Sequence, residues 1–265
     1  TIKQYMAGNR KQRQWVIMGA QEQGLMPTTE GGLDFKMNMT LALDGYSGLE
    51  HSLPIMPLRE DVVQLMARSG ITWTPTLLVS YGGPWSENYF YEHYDFHDDP
   101  KVRRFIPHAE IDARAERRPW FRDNQFVFPR IAEGVRRVVE AGGRVGLGGH
   151  GQFDGLGSHW ELWALTSGGL KNHDALRVAT LYGAEAIGLG KDLGSLEPGK
   201  LADLLVIDGN PLAEIHTNGL STVALLTELA GRFERQRHGT LAVISSVAGD
   251  RGRQTADEAR QARAL

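Results

Sequence analysis

An α/β fold built on a parallel sheet is what this sequence predicts, and three observations predict it. Short apolar, β-branched segments alternate with amphipathic helical ones along most of the chain, the order that yields parallel strands joined by crossover helices. Glycine is abundant, at 32 of 265 residues, and supplies the tight turns that such alternation needs. Four chemically versatile side chains, Lys3, Glu30, His51 and His150, each fall just after a strand-like segment. Parallel α/β folds gather their chemistry at that end of the sheet.

The elements follow in chain order. Residues 10–23 read as a helix stopped by Gly24, and 26–29 as a short strand that leaves through Glu30-Gly31-Gly32. Gly48-Leu49-Glu50-His51 reads as another strand end. Residues 59–69 make an amphipathic helix, with Val62, Val63, Leu65 and Met66 on one face and Gly70 ending it. Residues 71–76 are β-rich and stopped by Pro75. The stretch 80–125 carries Tyr81, Trp85, Tyr89, Phe90, Tyr91, Tyr94, Phe96 and Trp120 among many charges. It is too long for an ordinary connection and reads as a loop or small subdomain over a site. A helix is expected over 128–141, then a strand over 144–147 running into Gly148-Gly149-His150-Gly151. Helices over 160–165 and 173–181 follow. Residues 203–207 read as a buried strand between Pro198-Gly199 and Gly209-Asn210-Pro211, 222–236 as a helix and 240–245 as a strand. The polar, arginine-rich tail from Gly249 reads as frayed.

Composition narrows the function classes. Apolar residues make up 41%, enough for a sizeable core. A net charge of −3 lacks the basic footprint of broad nucleic-acid binding, so no nucleic-acid partner is expected. The absence of cysteine excludes disulfides, thiolate zinc sites and cysteine nucleophiles. A metal would be held by His, Asp, Glu, Lys or water. No run approaches the roughly 18 apolar residues of a membrane span, so no membrane partner is expected. The start, Thr1-Ile2-Lys3-Gln4-Tyr5, has no signal-peptide pattern. It also lacks an initial Met, as a processed product or a fragment would; a complete chain would be expected in the cytoplasm.

Strand ends in a parallel fold converge, so the imidazoles and carboxylate of His51, His150 and Glu30 are expected to meet. Such a group suits zinc or a similar divalent ion, which lowers the pKa of a bound water and polarises a carbonyl. The flanking motifs carry a family resemblance. Gly48-Leu49-Glu50-His51, Arg59-Glu60 and Gly70-Ile71-Thr72-Trp73-Thr74-Pro75-Thr76 resemble the sixth and seventh strands of amidohydrolases. Val145-Gly146-Leu147-Gly148-Gly149-His150-Gly151 is similar to the eighth. The run from Leu193-Gly194-Ser195-Leu196-Glu197-Pro198-Gly199-Lys200-Leu201-Ala202-Asp203 to Leu204-Leu205-Val206-Ile207-Asp208 is similar to the signature that follows the barrel in the imidazolonepropionase-like and prolidase-like branch.

That resemblance covers about residues 1–213. It implies a partial (β/α)₈ TIM barrel that lacks the first strands, and a metal-dependent hydrolase of an amide, peptide-like or ester bond, with zinc the expected metal. The substrate would be a small molecule or peptide-like. By position, His51 matches the sixth-strand metal ligand and Lys3 the fourth-strand lysine that bridges metals. Glu30 stands where the family has a fifth-strand histidine, and His150 where it has the eighth-strand aspartate. The first-strand His-x-His is absent, and no His-x-His occurs anywhere in the chain. The catalytic pair implied is His150 and His51; the metal set is Glu30, His51, His150 and Lys3. His159 would orient a ligand from behind, and Tyr81 and Trp85 would line a substrate pocket. Each has a plainer role: a hydrogen-bonded strand-end histidine for His51 and His150, a turn carboxylate for Glu30, a frayed terminus for Lys3, a helix cap for His159, loop packing for the two aromatics. His93, His97 and His108 are expected to be solvated.

Residues 215–254 also resemble a short-chain dehydrogenase fragment, with Asn218 and Ser246 at that family's asparagine and serine. No Tyr-x-x-x-Lys follows and no glycine-rich cofactor turn precedes, so no hydride chemistry is expected. The domains expected are a partial barrel over 1–190, a β-sandwich-type segment over 191–213 and a helix-strand tail over 214–265. An unclosed barrel leaves two sheet edges, which favours a homo-oligomer. The alternative to an enzyme is a catalytically silent fragment that serves assembly or binding.

Overall fold

The computed structural model describes residues 1–116, 118–150, 153 and 155–205. Five strands, β1 (Ile2–Gln4), β2 (Pro27–Glu30), β3 (Gly48–Glu50), β4 (Thr72–Thr74) and β5 (Arg144–Val145), form one sheet in sequence order. All four pairings are parallel. Helices α1 (Arg10–Glu22), α2 (Phe35–Asp44) and α3 (Glu60–Arg68) are the first three crossovers. Between β4 and β5 come α4 (Ser86–His93), α5 (Pro100–Phe105), α6 (His108–Ala115) and α7 (Phe128–Glu140). Helices α8 (Leu156–Ser167), α9 (Asn172–Ala179) and α10 (Leu181–Ala186) follow. No described helix is long and apolar enough to cross a membrane.

Helix ends follow from local chemistry. Asn9 and Gln12 cap α1 reciprocally, each side chain bonded to the other's backbone N–H. Asp34 caps α2 through the Met37 N–H, and Gly45 ends it with φ of 100°, a conformation that favours glycine. Helix α3 turns Val62, Val63 and Met66 inward and carries Glu60 and Asp61 at its start and Arg68 at its end, as its dipole favours.

The two sheet faces differ. Thr29, Leu49, Trp73 and Val145 are aligned in register, and each is 1% exposed or less. That row faces the helices, as right-handed crossovers all laid on one side require. Alternation puts Lys3, Thr28, Glu30, Gly48, Glu50, Thr72 and Thr74 on the opposite face, which is polar and built of small residues. The core lies between the sheet and α2, α3, α7 and α8, with Trp73, Trp160, Leu41, Leu49 and Met66 among its buried side chains. Burial of each such side chain contributes about 1.5–3 kcal/mol. Helices α7 and α8 approach so closely that a Cβ on Gly168 would overlap the backbone at Ala132.

Several sequence expectations are corrected. Residues 80–125, expected to be a loop or a small subdomain, hold three helices and a 3-10 turn (Asp123–Gln125), so the loop alternative is the one corrected. Aromatic rings organise them: Phe90 stacks on Trp160 at 5.5 Å, and Tyr91 meets Phe96 edge-on at 4.8 Å. Helix α2 has no counterpart in the predicted elements. The helix expected over 173–181 is broken at Thr180 into α9 and α10. Of the strand expected over 203–207, the described part holds a single bridge residue, Leu204. The elements expected over 222–236 and 240–245 lie outside the described residues.

Candidate active site

The C-terminal end of the sheet is built from turns that leave each strand abruptly. After Glu30, Gly31 donates its N–H to the Glu50 carbonyl at 3.0 Å, and a Cβ there would sit 2.8 Å from the same oxygen. Only glycine passes so near the neighbouring strand. Asn38, 1% exposed on α2, pins the next residue by bonding both its N–H and its carbonyl at 3.0 and 2.8 Å. Glu30 is thereby fixed as the last residue of β2.

His51 leaves β3 with φ of 72°, and His150 lies beyond β5 with φ of 54°. Thr76, after β4, has φ of 50°. Three non-glycine residues in the left-handed region sit at one end of one sheet, a concentration of backbone strain typical of functional sites. The His51 carbonyl accepts a hydrogen bond from Trp73 Nε1 at 2.8 Å, which holds that turn. Beyond Thr76, Leu77 and Leu78 donate their N–H groups to Glu161 of α8 at 2.8 and 3.0 Å.

The side chains meet. His51 Nε2 lies 2.6 Å from Glu30 Oε1, and Lys3 Nζ lies 2.9 Å from Glu30 Oε2. The His150 ring centroid is 5.4 Å from that of His51, and the Tyr81 ring is 5.7 Å away. Ser52 Oγ accepts the Tyr81 N–H at 3.0 Å and so brings that ring to the group. Lys3 lies within β1 rather than after it, and reaches the group along the polar face of the sheet. His150 is exposed. Trp85 is 47% exposed at the start of α4, outside the described ring contacts of His51 and Tyr81. His159 is half-buried within α8 and caps no helix end.

Charge follows from burial and neighbours. Burial opposes ionisation of Glu30, but the Lys3 and His51 contacts outweigh it and hold its pKa below the ordinary range. Burial likewise opposes the Lys3 charge, and Glu30 outweighs it and raises that pKa. For His51 burial prevails over the support of Glu30 and lowers the pKa, with the His150 charge acting the same way. A neutral His51 that donates Nε2–H to Glu30 leaves Nδ1 as a lone pair, and this atom is buried with no hydrogen-bond partner. Glu50, aligned with Glu30 on the next strand, is pushed up by burial, with Glu30 repelling its charge and Lys3 opposing both. Its place was readable as the strand residue alternating with Leu49, but only the register shows that it faces Glu30.

The donor set of Glu30, His51 and His150 fits a zinc-type ion in kind, and the unpartnered Nδ1 of His51 agrees with it. Spacing is less tight. Among the described residues, the group of three His and acidic side chains whose ligand atoms all lie within 4.8 Å of one another is His97, His108 and Asp112. His93, His97 and His108 are solvent-accessible as expected, with side chains 32%, 37% and 52% exposed, and they also pair with carboxylates: His97 and His108 contact Asp112, and His93 contacts Asp123 at 3.0 Å.

The sequence profile of the amidohydrolase family matches residues 48–234. The chain belongs to the amidohydrolase family. The matched span of this amidohydrolase chain contains His51 and His150 and begins after Lys3 and Glu30. A 5-methylthioadenosine/S-adenosylhomocysteine deaminase of Teredinibacter turnerae is 60% identical over 40 residues, 15% of this chain and 9% of that protein. An imidazolonepropionase of Syntrophobacter fumaroxidans is 50% identical over 56 residues, 21% of this chain and 13% of that protein. A crystal structure of a Xaa-Pro dipeptidase with methionine bound in its active site superposes with a TM-score of 0.53 at 20% identity, over 83% of this chain and 51% of that one. This likeness shows the fold alone. The chain thus spans about half the length of that structure, and far less of the curated relatives is matched. The short-chain-dehydrogenase likeness of 215–254, with Asn218 and Ser246, lies outside the described residues. The amidohydrolase profile runs through residue 234, across the first part of that segment.

Proposed function

We propose that this chain is the C-terminal part of a metal-dependent hydrolase that cleaves an amide, peptide-like or ester bond in a small-molecule or peptide-like substrate. The observation that carries the proposal is the 2.6 Å contact of His51 with Glu30 at the ends of adjacent parallel strands, beside a buried and unpartnered Nδ1. In the same reading, residues 1–190 are part of a TIM barrel whose first strands lie outside this sequence. Residues 191–213 are its sandwich-type segment and 214–265 a helix-strand tail. Strand order without reversal supports the barrel, because doubly wound sheets reverse theirs.

A divalent ion, zinc by this donor set, would be held by His51, Glu30 and His150, and when bound supplies an acidified water and a polarised carbonyl. The chain's own residues do the rest. Lys3 keeps Glu30 ionised, and Glu30 fixes the His51 tautomer by holding Nε2–H. Glu50, aligned with Glu30 on the next strand and pushed up by burial while Glu30 is held down, would be the proton donor to the leaving group; two carboxylates driven apart in pKa divide the acid and base roles. His150, at the exposed lip, would be the imidazole that relays a proton between the site and solvent. Tyr81 closes one side of the group, and Trp85 would meet substrate from the outer rim.

A second reading, a catalytically silent fragment kept for assembly, draws on one observation. Both Glu30 oxygens are already satisfied within the chain, by Lys3 and His51. It would use the edge of β1, where Ile2 and Tyr5 are 41% and 61% exposed, to pair with another copy. Hydrolysis of a panel of esters, dipeptides and amides, assayed with zinc-reconstituted protein and with Glu30→Gln, separates the two. The hydrolase reading expects turnover that Glu30→Gln abolishes. Absence of turnover across the panel, or turnover indifferent to Glu30→Gln, would overturn it.

A further inference from the structure

A second group of ligand-type side chains lies outside the sheet end, in the helical segment between β4 and β5. His108 and Asp112 stand one turn apart on α6 and face the same way, with His108 Nδ1 2.9 Å from Asp112 Oδ2. His97, in the turn between α4 and α5, points Nε2 at the other carboxylate oxygen, Asp112 Oδ1, at 2.6 Å. The His97 and His108 rings are edge-to-face at 4.8 Å. We propose that His97, His108 and Asp112 form a zinc-type divalent-cation site that clamps the turn after α4 to α6.

Three features support the assignment. The ligand atoms lie within 4.8 Å of one another, and a tetrahedral zinc at about 2.0–2.2 Å from each ligand needs them about 3.3 Å apart, within reach of small rotations. Two imidazoles and a carboxylate are a donor set that zinc accepts, with the remaining position open to water. The far nitrogen of His97, Nδ1, has Asp98 Oδ1 at 3.6 Å, and Arg103 holds that same oxygen at 3.4 Å. At 3.6 Å this is an ion-pair distance rather than a hydrogen bond; a small rotation that let Nδ1–H donate to Asp98 would fix ring orientation and strengthen the other nitrogen as a ligand. The three side chains are 37%, 52% and 41% exposed, so an ion would load directly from solvent. His97 also lines a cavity of about 530 Å³, with Tyr91, Arg118 and Trp120 on its wall. Of the three proposed ligands, His97 thus borders a space large enough for a small ligand.

The site shares no residue with the sheet-end group, so its test stands apart from the proposed hydrolase. A chelator-stripped chain carrying His51→Ala, which removes the sheet-end site, is titrated with cobalt(II), followed by visible absorption, and with zinc, followed by calorimetry and by hydrogen exchange over 97–112. Saturable binding is expected in this background, and adding His97→Gln or His108→Gln should abolish it. Zinc should slow exchange across 97–112. Asp98→Asn, which removes only the supporting carboxylate, should weaken binding about 10–100-fold. Far-ultraviolet circular dichroism confirms that each variant folds. In the His51→Ala background, binding that survives both His97→Gln and His108→Gln, or no saturable binding at all, overturns the proposal and leaves Asp112 as a carboxylate paired with two imidazoles.

Discussion

His51 and His97 each point an imidazole nitrogen at a carboxylate oxygen 2.6 Å away, yet their pKa values move in opposite directions. The His51 side chain is 10% exposed and that of His97 is 37% exposed. Around His51, burial outweighs the carboxylate, and the ring is held toward neutrality. Around His97, the hydrogen bond to Asp112 outweighs burial, and the ring is held toward its charged form. An imidazole–carboxylate contact at one distance is therefore a poised lone pair in one region and a surface ion pair in the other. Desolvation, not contact geometry, makes the difference.

The largest expected effect falls on chemistry. Glu30→Ala and His51→Ala should each lower kcat/KM about 10²–10⁴-fold in the hydrolysis assay, the range for loss of a positioned acid, base or ligand. A loss below tenfold for either would remove the sheet end from the reaction.

Glu161 sharpens the comparison, because it is fully buried and, among the described residues, its charge is met by two backbone N–H groups rather than by a cation. Burial pushes it up to about 8 against the pull of the Leu77 and Leu78 N–H groups. A carboxyl with a raised folded-state pKa lends stability that is complete below its ordinary value near 4.5. That stability is lost as pH climbs toward about 8. Urea unfolding across that window should show the decline. Glu161→Gln should flatten it, at a cost of about 1–3 kcal/mol for the backbone donor left unpaired. An unchanged slope would mean that the two N–H groups keep Glu161 ionised throughout.

A direct titration comes next. In metal-free protein, the nuclear magnetic resonance signals of the His51 ring should titrate below the ordinary histidine value of 6.5 and those of His97 above it. The stability linked to His97 is present below 6.5 and fades as pH rises through its raised value; that linked to His51 is present above 6.5 and fades on acidification. Both rings titrating on the same side would erase the contrast. The smallest effect is on heat stability: Asp112→Asn should shift the thermal midpoint by no more than about 2 °C, since exposed ion pairs contribute little. A larger drop would show that the segment depends on that carboxylate even without metal.

Much of the sheet was legible because apolar segments ending in Gly, Pro or His mark strand exits; β3 and β4 fall within the predicted spans, and β2 runs one residue past its own, to Glu30. Helices α1, α3 and α7 were legible to within a residue or so from their faces and caps. Helix α2 was not, and its sequence explains why. Phe35, Met37, Met39, Leu41 and Leu43 alternate with smaller or polar residues, a strand-like period, yet they form a helix between the Asp34 cap and Gly45. The requirement of a crossover between parallel neighbours overrides the local pattern. At the site, Glu30, His51 and His150 were found from strand-end position alone. Glu50 and the His97–His108–Asp112 group were not, because one needs the register between strands and the other needs α6 and the preceding turn to be folded.

Zinc content at the sheet end is the most direct test. In a chain carrying His97→Gln and His108→Gln, reconstituted and exhaustively dialysed, plasma mass spectrometry should find about one equivalent of zinc, lost on adding His51→Ala. Less than about a tenth of an equivalent in the chain with His51 intact would contradict a metal-binding role for Glu30, His51 and His150.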